Sequence, residues 1–361
     1  VHLQRIVLTG GGTAGHVMPN IALLPVLRNR GYEICYIGSA TGLERELITR
    51  EGVPYYAINT GKFRRYLDLR NLTDPFRVIH GLGQAAALLR KIKPHVLFAK
   101  GGFVSGPVIV AAWLNRIPAV IHESDFTPGL ANRMSIPFAS RVCYSFPETA
   151  EFLPAHKSVL TGMPVRPDLL KGSQSRARQI CGFDDLKPVL LVIGGSTGSQ
   201  TINTAVRSAL PRLLERFYVC HICGKGRIDH SLESVRGYRQ YEFVSEELPD
   251  LMALADVVVS RSGATTIFEL LALKKPSLLI PLSRRASRGD QILNAMSFKR
   301  QGFSEVLFEE DLTAESLVDW AVRIYTNRKA YIQSMSLSQT RDGVESVMRV
   351  IDEVVKTRSG M

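Results

Sequence analysis

Short runs of β-branched and aliphatic residues recur along the chain, each closed by glycine or a polar turn and followed by a longer stretch of apolar periodicity. This alternation predicts strand–turn–helix units. Strands are expected over 6–9, 33–38, 55–58, 95–99, 119–121, 141–145 and 158–161, and then over 188–193, 218–222, 241–244, 257–259, 277–281 and 304–308. Helices are expected after Gly15 through Leu27, over 76–90, from Pro107 to Leu114, over 201–217, from Gln291 through Phe298, and over 313–327 and 343–356. Strands that are apolar throughout and separated by helices belong to parallel sheets covered on both faces. The fold class is therefore α/β, with two Rossmann-like domains and mostly parallel sheets. A stiff stretch, Gly162-Met163-Pro164-Val165-Arg166-Pro167, marks the passage between them. The domains are read as 1–162 and 163–341, with 342–361 a terminal helix that packs back on the first.

Several of these units carry a glycine turn where strand gives way to helix. Val257-Val258-Val259-Ser260-Arg261-Ser262-Gly263 runs into Ala264-Thr265-Thr266-Ile267-Phe268-Glu269. The unpaired N–H groups opening such a helix bind phosphate, and Gly263 permits a sharp turn there. Glu269, further into the helix, suits the two hydroxyls of a ribose, or else complements the dipole or a nearby arginine. Gly10-Gly11-Gly12-Thr13-Ala14-Gly15-His16 and Gly194-Gly195-Ser196-Thr197-Gly198-Ser199 repeat the arrangement, so two turns are expected to face a central cleft. His16 lies at a helix opening, where the positive end keeps an imidazole neutral and able to accept a proton; capping or packing is the blander role. Lys100-Gly101-Gly102-Phe103-Val104-Ser105-Gly106 is a further crossover, and His122-Glu123-Ser124-Asp125 follows a strand at the usual ligand edge. Glu123 and Asp125 there can order a sugar, activate a hydroxyl or cap the next helix. Arg166 is positioned to reach a phosphate or simply to sit at the surface.

Charge narrows the partners. The 361 residues carry 45 basic and 33 acidic side chains, a net of +12, which favours an anionic ligand or surface. The basic residues are dispersed, with concentrations at 62–65, 90–93 and 284–288, and no zinc-finger or RNA-binding aromatic signature accompanies them, so nucleic acid is set aside. The five cysteines, Cys35, Cys143, Cys181, Cys220 and Cys223, form no disulfide framework and point to a reducing compartment. Cys220 and Cys223 fall in a strand with no second pair, so they read as buried structural thiols and no metal site is expected. No signal-peptide apolar region and no transmembrane run is present. The stretch 61–72 interleaves Lys62, Arg64 and Arg65 with Phe63, Tyr66, Leu67, Leu69 and Leu72, continuing to Phe76 and Ile79, and is the expected contact with an anionic membrane.

Taken in order, Gly11 to His16, Gly101 to Pro107, His122 to Asp125, Gly194 to Gly198, Arg261 to Thr266 and Gln291-Ile292-Leu293-Asn294-Ala295 resemble the bacterial MurG family of peptidoglycan glycosyltransferases across nearly the whole chain. The resemblance implies the glycosyltransferase B architecture and inverting transfer of N-acetylglucosamine from UDP-GlcNAc to the muramyl C4 hydroxyl of lipid I, giving lipid II and UDP. It places Arg166 and Ser196 near phosphate, Phe243 and Val244 near uracil, Gly263, Ala264, Thr265 and Thr266 at the donor backbone, Glu269 on ribose, and Asp290 and Gln291 at the donor sugar. Gly12, Thr13, Ala14, His16 and Asp125 are then at the reacting end, with His16 the first choice of general base and Glu123 the second. It also implies no cofactor and no metal, a peripheral site on the cytoplasmic face of the cell membrane, and other cell-wall synthesis proteins as partners. Three departures stand out. Ala14 occupies a frequent glycine position, which requires a negative φ there; Ser124-Asp125 replaces glutamine-asparagine; and Asp290 replaces glutamine. Other readings of the same plan are a different sugar-nucleotide glycosyltransferase, an epimerase, or a noncatalytic sugar-nucleotide sensor.

Overall fold

The computed structural model describes residues 4–60, 74–195, 198–283, 289–340 and 342–359. The chain forms two compact units, Val1–Arg166 with Asp342–Met361, and Pro167–Arg341. In the first, strands β1 (Gln4–Thr9), β2 (Tyr32–Ser39), β3 (Tyr55–Ile58), β4 (Val96–Ala99), β5 (Ala119–Glu123), β6 (Arg141–Tyr144) and β7 (Ser158–Leu160) form a parallel sheet of order β3-β2-β1-β4-β5-β6-β7. Helices α1 (Ala14–Asn29), α2 (Leu43–Arg50), α3 (Asp74–Ile92), α4 (Ser105–Leu114) and α5 (Leu130–Ser135) connect them. Alternation along β1 shows why the strands are apolar throughout. Ile6 and Leu8 join one core with Val17, Leu23 and Leu27 of α1, while Val7 joins the other with Ala85 and Leu89 of α3 and Val108 of α4.

The second unit holds β8 (Val189–Ile193), β9 (Tyr218–Ile222), β10 (Tyr238–Tyr241), β11 (Val257–Ser260), β12 (Ser277–Leu279) and β13 (Ser304–Val306) in the parallel order β10-β9-β8-β11-β12-β13. Its helices are α6 (Gln174–Cys181), α7 (Gln200–Arg216), α8 (Leu248–Leu254), α9 (Ala264–Ala272), α10 (Asp290–Arg300), α11 (Ala314–Thr326) and α12 (Arg328–Ser336). Leu190, Val192, Val257 and Val259 pack on α7 and on Leu317, Ala321 and Ile324 of α11. The last helix, α13 (Gly343–Ser359), buries Val347, Met348, Val350, Ile351, Val354 and Val355 in the same core as α1 of the first unit. Arg30 pairs there with Glu345 and Asp352, and the Tyr32 hydroxyl donates to Asp352 at 2.9 Å.

Three expectations change. The strand expected over 241–244 is instead β10, because its parallel partner β9 ends at Ile222, paired with Tyr241, and nothing continues the ladder past that point. β5 runs on through His122 and Glu123, so these two residues lie inside the sheet edge and not beyond it. The helix read over 313–327 is followed by a separate α12, with Asn327 closing α11 and opening its successor.

In both sheets the strand order reverses at one place, between β1 and β4 and between β8 and β11. Crossovers leave on opposite faces at such a point, opening a crevice at the carboxyl ends of the strands. The glycine turns lie at these two edges.

Candidate functional site

At the first edge, the turn after β1 is braced from below. Gly12 adopts φ +90°, and Glu44, wholly buried near the start of α2, accepts from the Gly12 N–H at 3.2 Å and from Ser39. A side chain on Gly11 would come within 2.6 Å of the Glu44 carboxyl, so the loop lies directly on it. The turn after β4 packs alongside: a Cβ on Gly102 would meet the Gly11 carbonyl at 2.2 Å, and the Phe103 ring covers Gly12. Thr13 is the N-cap of α1, with its hydroxyl 3.1 Å from His16 Nδ1. Ala14, the first helical residue, has no positive φ, so alanine is accommodated at this frequent glycine position. The half-buried His16 is pulled down from the ordinary 6.5 to about 4, first by loss of water and then by the Lys100 cation, against the opposing pull of the Gly11 backbone and Glu44. It is neutral at pH 7.

Glu123 is in a different situation. One carboxylate oxygen accepts from the N–H groups of Ser124 and Asp125 at 2.8 and 3.0 Å, the other from Gly129 N–H and Asn132 Nδ2 at 3.0 and 2.7 Å. Four donors on a buried carboxylate make it the organiser of the loop that enters α5 and leave little capacity for proton transfer. Burial and the neighbouring Asp125 charge raise its pKa, while the Asn132 amide, the Asp125 N–H and Lys100 oppose the rise. Asp125 itself is half-buried at the edge.

At the second edge, Gly198 adopts φ +73° with its α-carbon against Cys223, where a Cβ would meet the carbonyl at 2.0 Å. Ser199 caps α7 by accepting from Ile202 N–H. Ser196 lies outside the described residues. Gly263 departs from its expected role: it caps α9 at φ −63°, ψ 136°, and an added Cβ would meet nothing within 4 Å. No backbone strain calls for glycine there. What it leaves is open space beside the first turn of α9, where Ala264 is buried and Thr265 and Thr266 are half-buried. Glu269 lies further along the same helix and is 9% exposed. Gln291, in the first turn of α10, accepts from Leu282 N–H at 3.1 Å, and its carbonyl accepts from the Ser262 hydroxyl at 2.7 Å. Asp290 opens that helix after Gly289 at φ +85°, a place where a carboxylate favours the dipole. After β10, Val244 is buried while Phe243 is 70% exposed. Arg166 is half-buried as the last residue of the first unit.

Sequence reasoning passed over the buried charges that hold these turns. Arg261, 8% exposed, donates to the Ile280 carbonyl at 3.0 Å, to Ser199 Oγ at 2.7 Å and to Glu309, tying the ends of β8, β11 and β12 together. Lys100 and Glu44 do similar work at the first edge. A charged residue at the end of an apolar strand and just before a glycine turn, as in Lys100-Gly101-Gly102 and Arg261-Ser262-Gly263, is the signal that was available. Glu44 has no such mark, because only the tertiary fold brings α2 under the turn. All five cysteines are buried and free; Cys223 falls just after β9 and not within it.

Residues 6–144 match the glycosyltransferase family 28 N-terminal domain, and residues 189–350 match the glycosyltransferase family 28 C-terminal domain. A protein of Geobacillus thermodenitrificans named UDP-N-acetylglucosamine–N-acetylmuramyl-(pentapeptide) pyrophosphoryl-undecaprenol N-acetylglucosamine transferase is 55% identical over 98% of this chain and 99% of its own. A Lachnospira eligens protein of the same name is 54% identical over 97% and 99%. Among solved structures, MurG of Acinetobacter baumannii superposes with a TM-score of 0.75 at 23% identity, covering 98% of this chain and 99% of that one, a likeness of fold.

Proposed function

Because the chain belongs to the MurG family within glycosyltransferase family 28, we propose that it transfers N-acetylglucosamine from UDP-GlcNAc to the muramyl C4 hydroxyl of undecaprenyl-diphospho-muramyl-pentapeptide, forming lipid II and UDP. The observation that carries the reading in this molecule is the pair of glycine turns at the two strand-order reversals, one followed by the α9 N-terminus with buried Glu269 behind it. The helix opening meets the diphosphate and Glu269 accepts from the ribose hydroxyls. Arg166, Ser196, Phe243, Val244, Gly263 to Thr266, Asp290 and Gln291 make up the donor set, and Gly12, Thr13, Ala14 and Asp125 the acceptor end. In this reading the dipole and Arg166 carry the diphosphate charge without a metal ion, so donor binding persists in EDTA.

His16 accepts the C4 proton as the oxygen attacks the anomeric carbon and UDP departs with inversion. A base near 4 holds a proton poorly, but the diphosphates of both substrates bring negative charge that raises it as they bind. The decisive experiment supplies radiolabelled UDP-GlcNAc and defined lipid I, and follows label into a β-linked disaccharide lipid. UDP release without labelled lipid, or epimerised donor alone, overturns the proposal.

A lipid-borne acceptor also explains the exposed apolar residues of the first unit. Trp113 and Leu114 end α4, Leu130 and Met134 lie on α5, and Ile79 is on α3, with Arg116 and Arg133 beside them in sequence. No helix among the described residues is long and apolar enough to cross a membrane. We read this surface, with the 61–72 stretch that lies outside the described residues, as a peripheral contact with the cytoplasmic membrane face.

A further inference from the structure

We propose that Lys100 is a positioning residue for the transfer reaction, its buried ammonium clamping the Ser124–Asp125 segment and setting the electrostatics around the His16 imidazole. The inference rests on the transferase reading above. Lys100 follows β4 directly and is 1% exposed. Its backbone N–H donates to the Thr9 carbonyl at 2.9 Å, fixing it beside the end of β1, and a Cβ on Gly10 would sit 3.2 Å from its own. The side chain then runs to the segment just after β5, where Nζ donates to Ser124 Oγ. One lysine thus spans the turn that carries Thr13 and His16 and the segment that carries Asp125.

An ammonium has reason to stay in so buried a place only if negative charge surrounds it. The charged and titratable groups facing it come from several elements: Glu123 and His122 from β5, Asp125 from the loop after it, Cys143 from β6 and His16 from α1. Loss of water pulls Lys100 down to about 8, with Glu123, Asp125 and Cys143 pulling it back. The dependence is mutual. Asp125 places a second carboxylate beside Glu123 and pushes the latter's pKa up, while the Lys100 cation holds it down. His16 feels the same cation, opposed by Glu44 of α2. His122 also feels it, but its Nε2 is committed to the Gly162 carbonyl at 2.9 Å.

The test is Lys100→Met, which keeps the length and removes the charge, alongside Lys100→Arg, which keeps the charge. The pH profile of kcat/KM with lipid I is read together with the His16 titration by NMR. Lys100→Met should lower kcat/KM about tenfold at neutral pH, and both the acid limb and the His16 titration should move up by about 1 pH unit, with UDP affinity unchanged. Lys100→Arg should keep the acid limb in place, and Asp125→Asn added to Lys100→Met should recover part of the lost rate by removing one of the two carboxylates the cation faced. An unchanged profile in a folded Lys100→Met variant overturns the proposal, as does a rate loss uniform across pH with His16 titrating as in the parent. Should Lys100→Met fail to fold, Lys100→Gln takes its place with the same two readouts: a His16 titration that moves up supports the proposal, and one that stays where the parent has it overturns it. A parent that makes no lipid II defeats the transferase reading instead, and the NMR titration still reports on Lys100.

Discussion

Three acidic or basic side chains at the two edges do different work, and substitutions separate them. Glu269 is buried behind the α9 opening, so if it holds the ribose, Glu269→Ala removes a desolvated, charge-assisted hydrogen bond. UDP affinity in calorimetry should fall by about 1.5–3 kcal/mol with the second unit still folded; unchanged affinity would remove the ribose role. His16 and Glu123 are distinguished by what else depends on them. His16→Ala should lower turnover while UDP binding and the melting temperature hold, because its side chain bonds only within its own turn, to the Thr13 hydroxyl and the Gly11 backbone. Glu123→Ala strands four donors, so its rate loss should come with a loss of about 3 kcal/mol or more in stability by denaturant titration. A stable Glu123→Ala protein with a specific loss of turnover would return Glu123 to candidacy as the base.

At the scale of elements, the glycine turns are not equivalent even though they look alike in sequence. Gly12 needs its φ of +90° and lies under the Phe103 ring, where a Cβ would approach to 2.7 Å. Gly263 has an ordinary φ and open space around it. Gly12→Ala should therefore destabilise the first unit by about 1–2 kcal/mol, whereas Gly263→Ala should leave stability within about 0.5 kcal/mol and act on donor binding alone. Thermal melts of the two variants beside UDP titrations check this. Equal destabilisation by both would mean that Gly263 is needed by the fold.

For the molecule as a whole, pH and membrane charge are the informative variables. His122 in the first unit and His221 in the second are both fully buried, and burial holds each below the ordinary 6.5, His221 at about 3. His221 is locked between the Tyr238 hydroxyl at 2.8 Å and Asn203 Oδ1 at 3.0 Å. A depressed histidine binds fewer protons folded than unfolded, so its stability contribution is complete above 6.5 and is lost as pH falls from there toward the folded value. Calorimetry from pH 7 to 4 should show both units weakening, with a limiting slope of about 1.4 kcal/mol per pH unit for each such histidine. His221→Gln should flatten the response of the second unit. The net charge of +12 and the exposed apolar residues on α3, α4 and α5 predict flotation with anionic vesicles over neutral ones, weakened by salt. A folded charge-removal variant at Lys62, Arg64 and Arg65 that floats as well as the parent would confine docking to the described helices.

The two α/β units and nearly every strand were legible in the sequence because a parallel strand buried on both faces must be apolar throughout, and glycine must stand where backbone lies against backbone, as at Gly102 on Gly11. The ordered motifs likewise identified the family and the substrate class. Other features lay beyond reach because they depend on partners distant in sequence. Where β10 ends is set by β9, not by the propensity of Phe243 and Val244. For Glu123 the sequence left sugar binding, hydroxyl activation and helix capping open, and only the fold brings Asn132 and Gly129 onto its carboxylate. Lys100 and Arg261 stand at strand ends in the sequence, but that both are buried, and what they pair with, is set by the fold. Local pattern encodes which face of an element is covered; only the tertiary structure determines which charge lies in the dark and what it must pair with there.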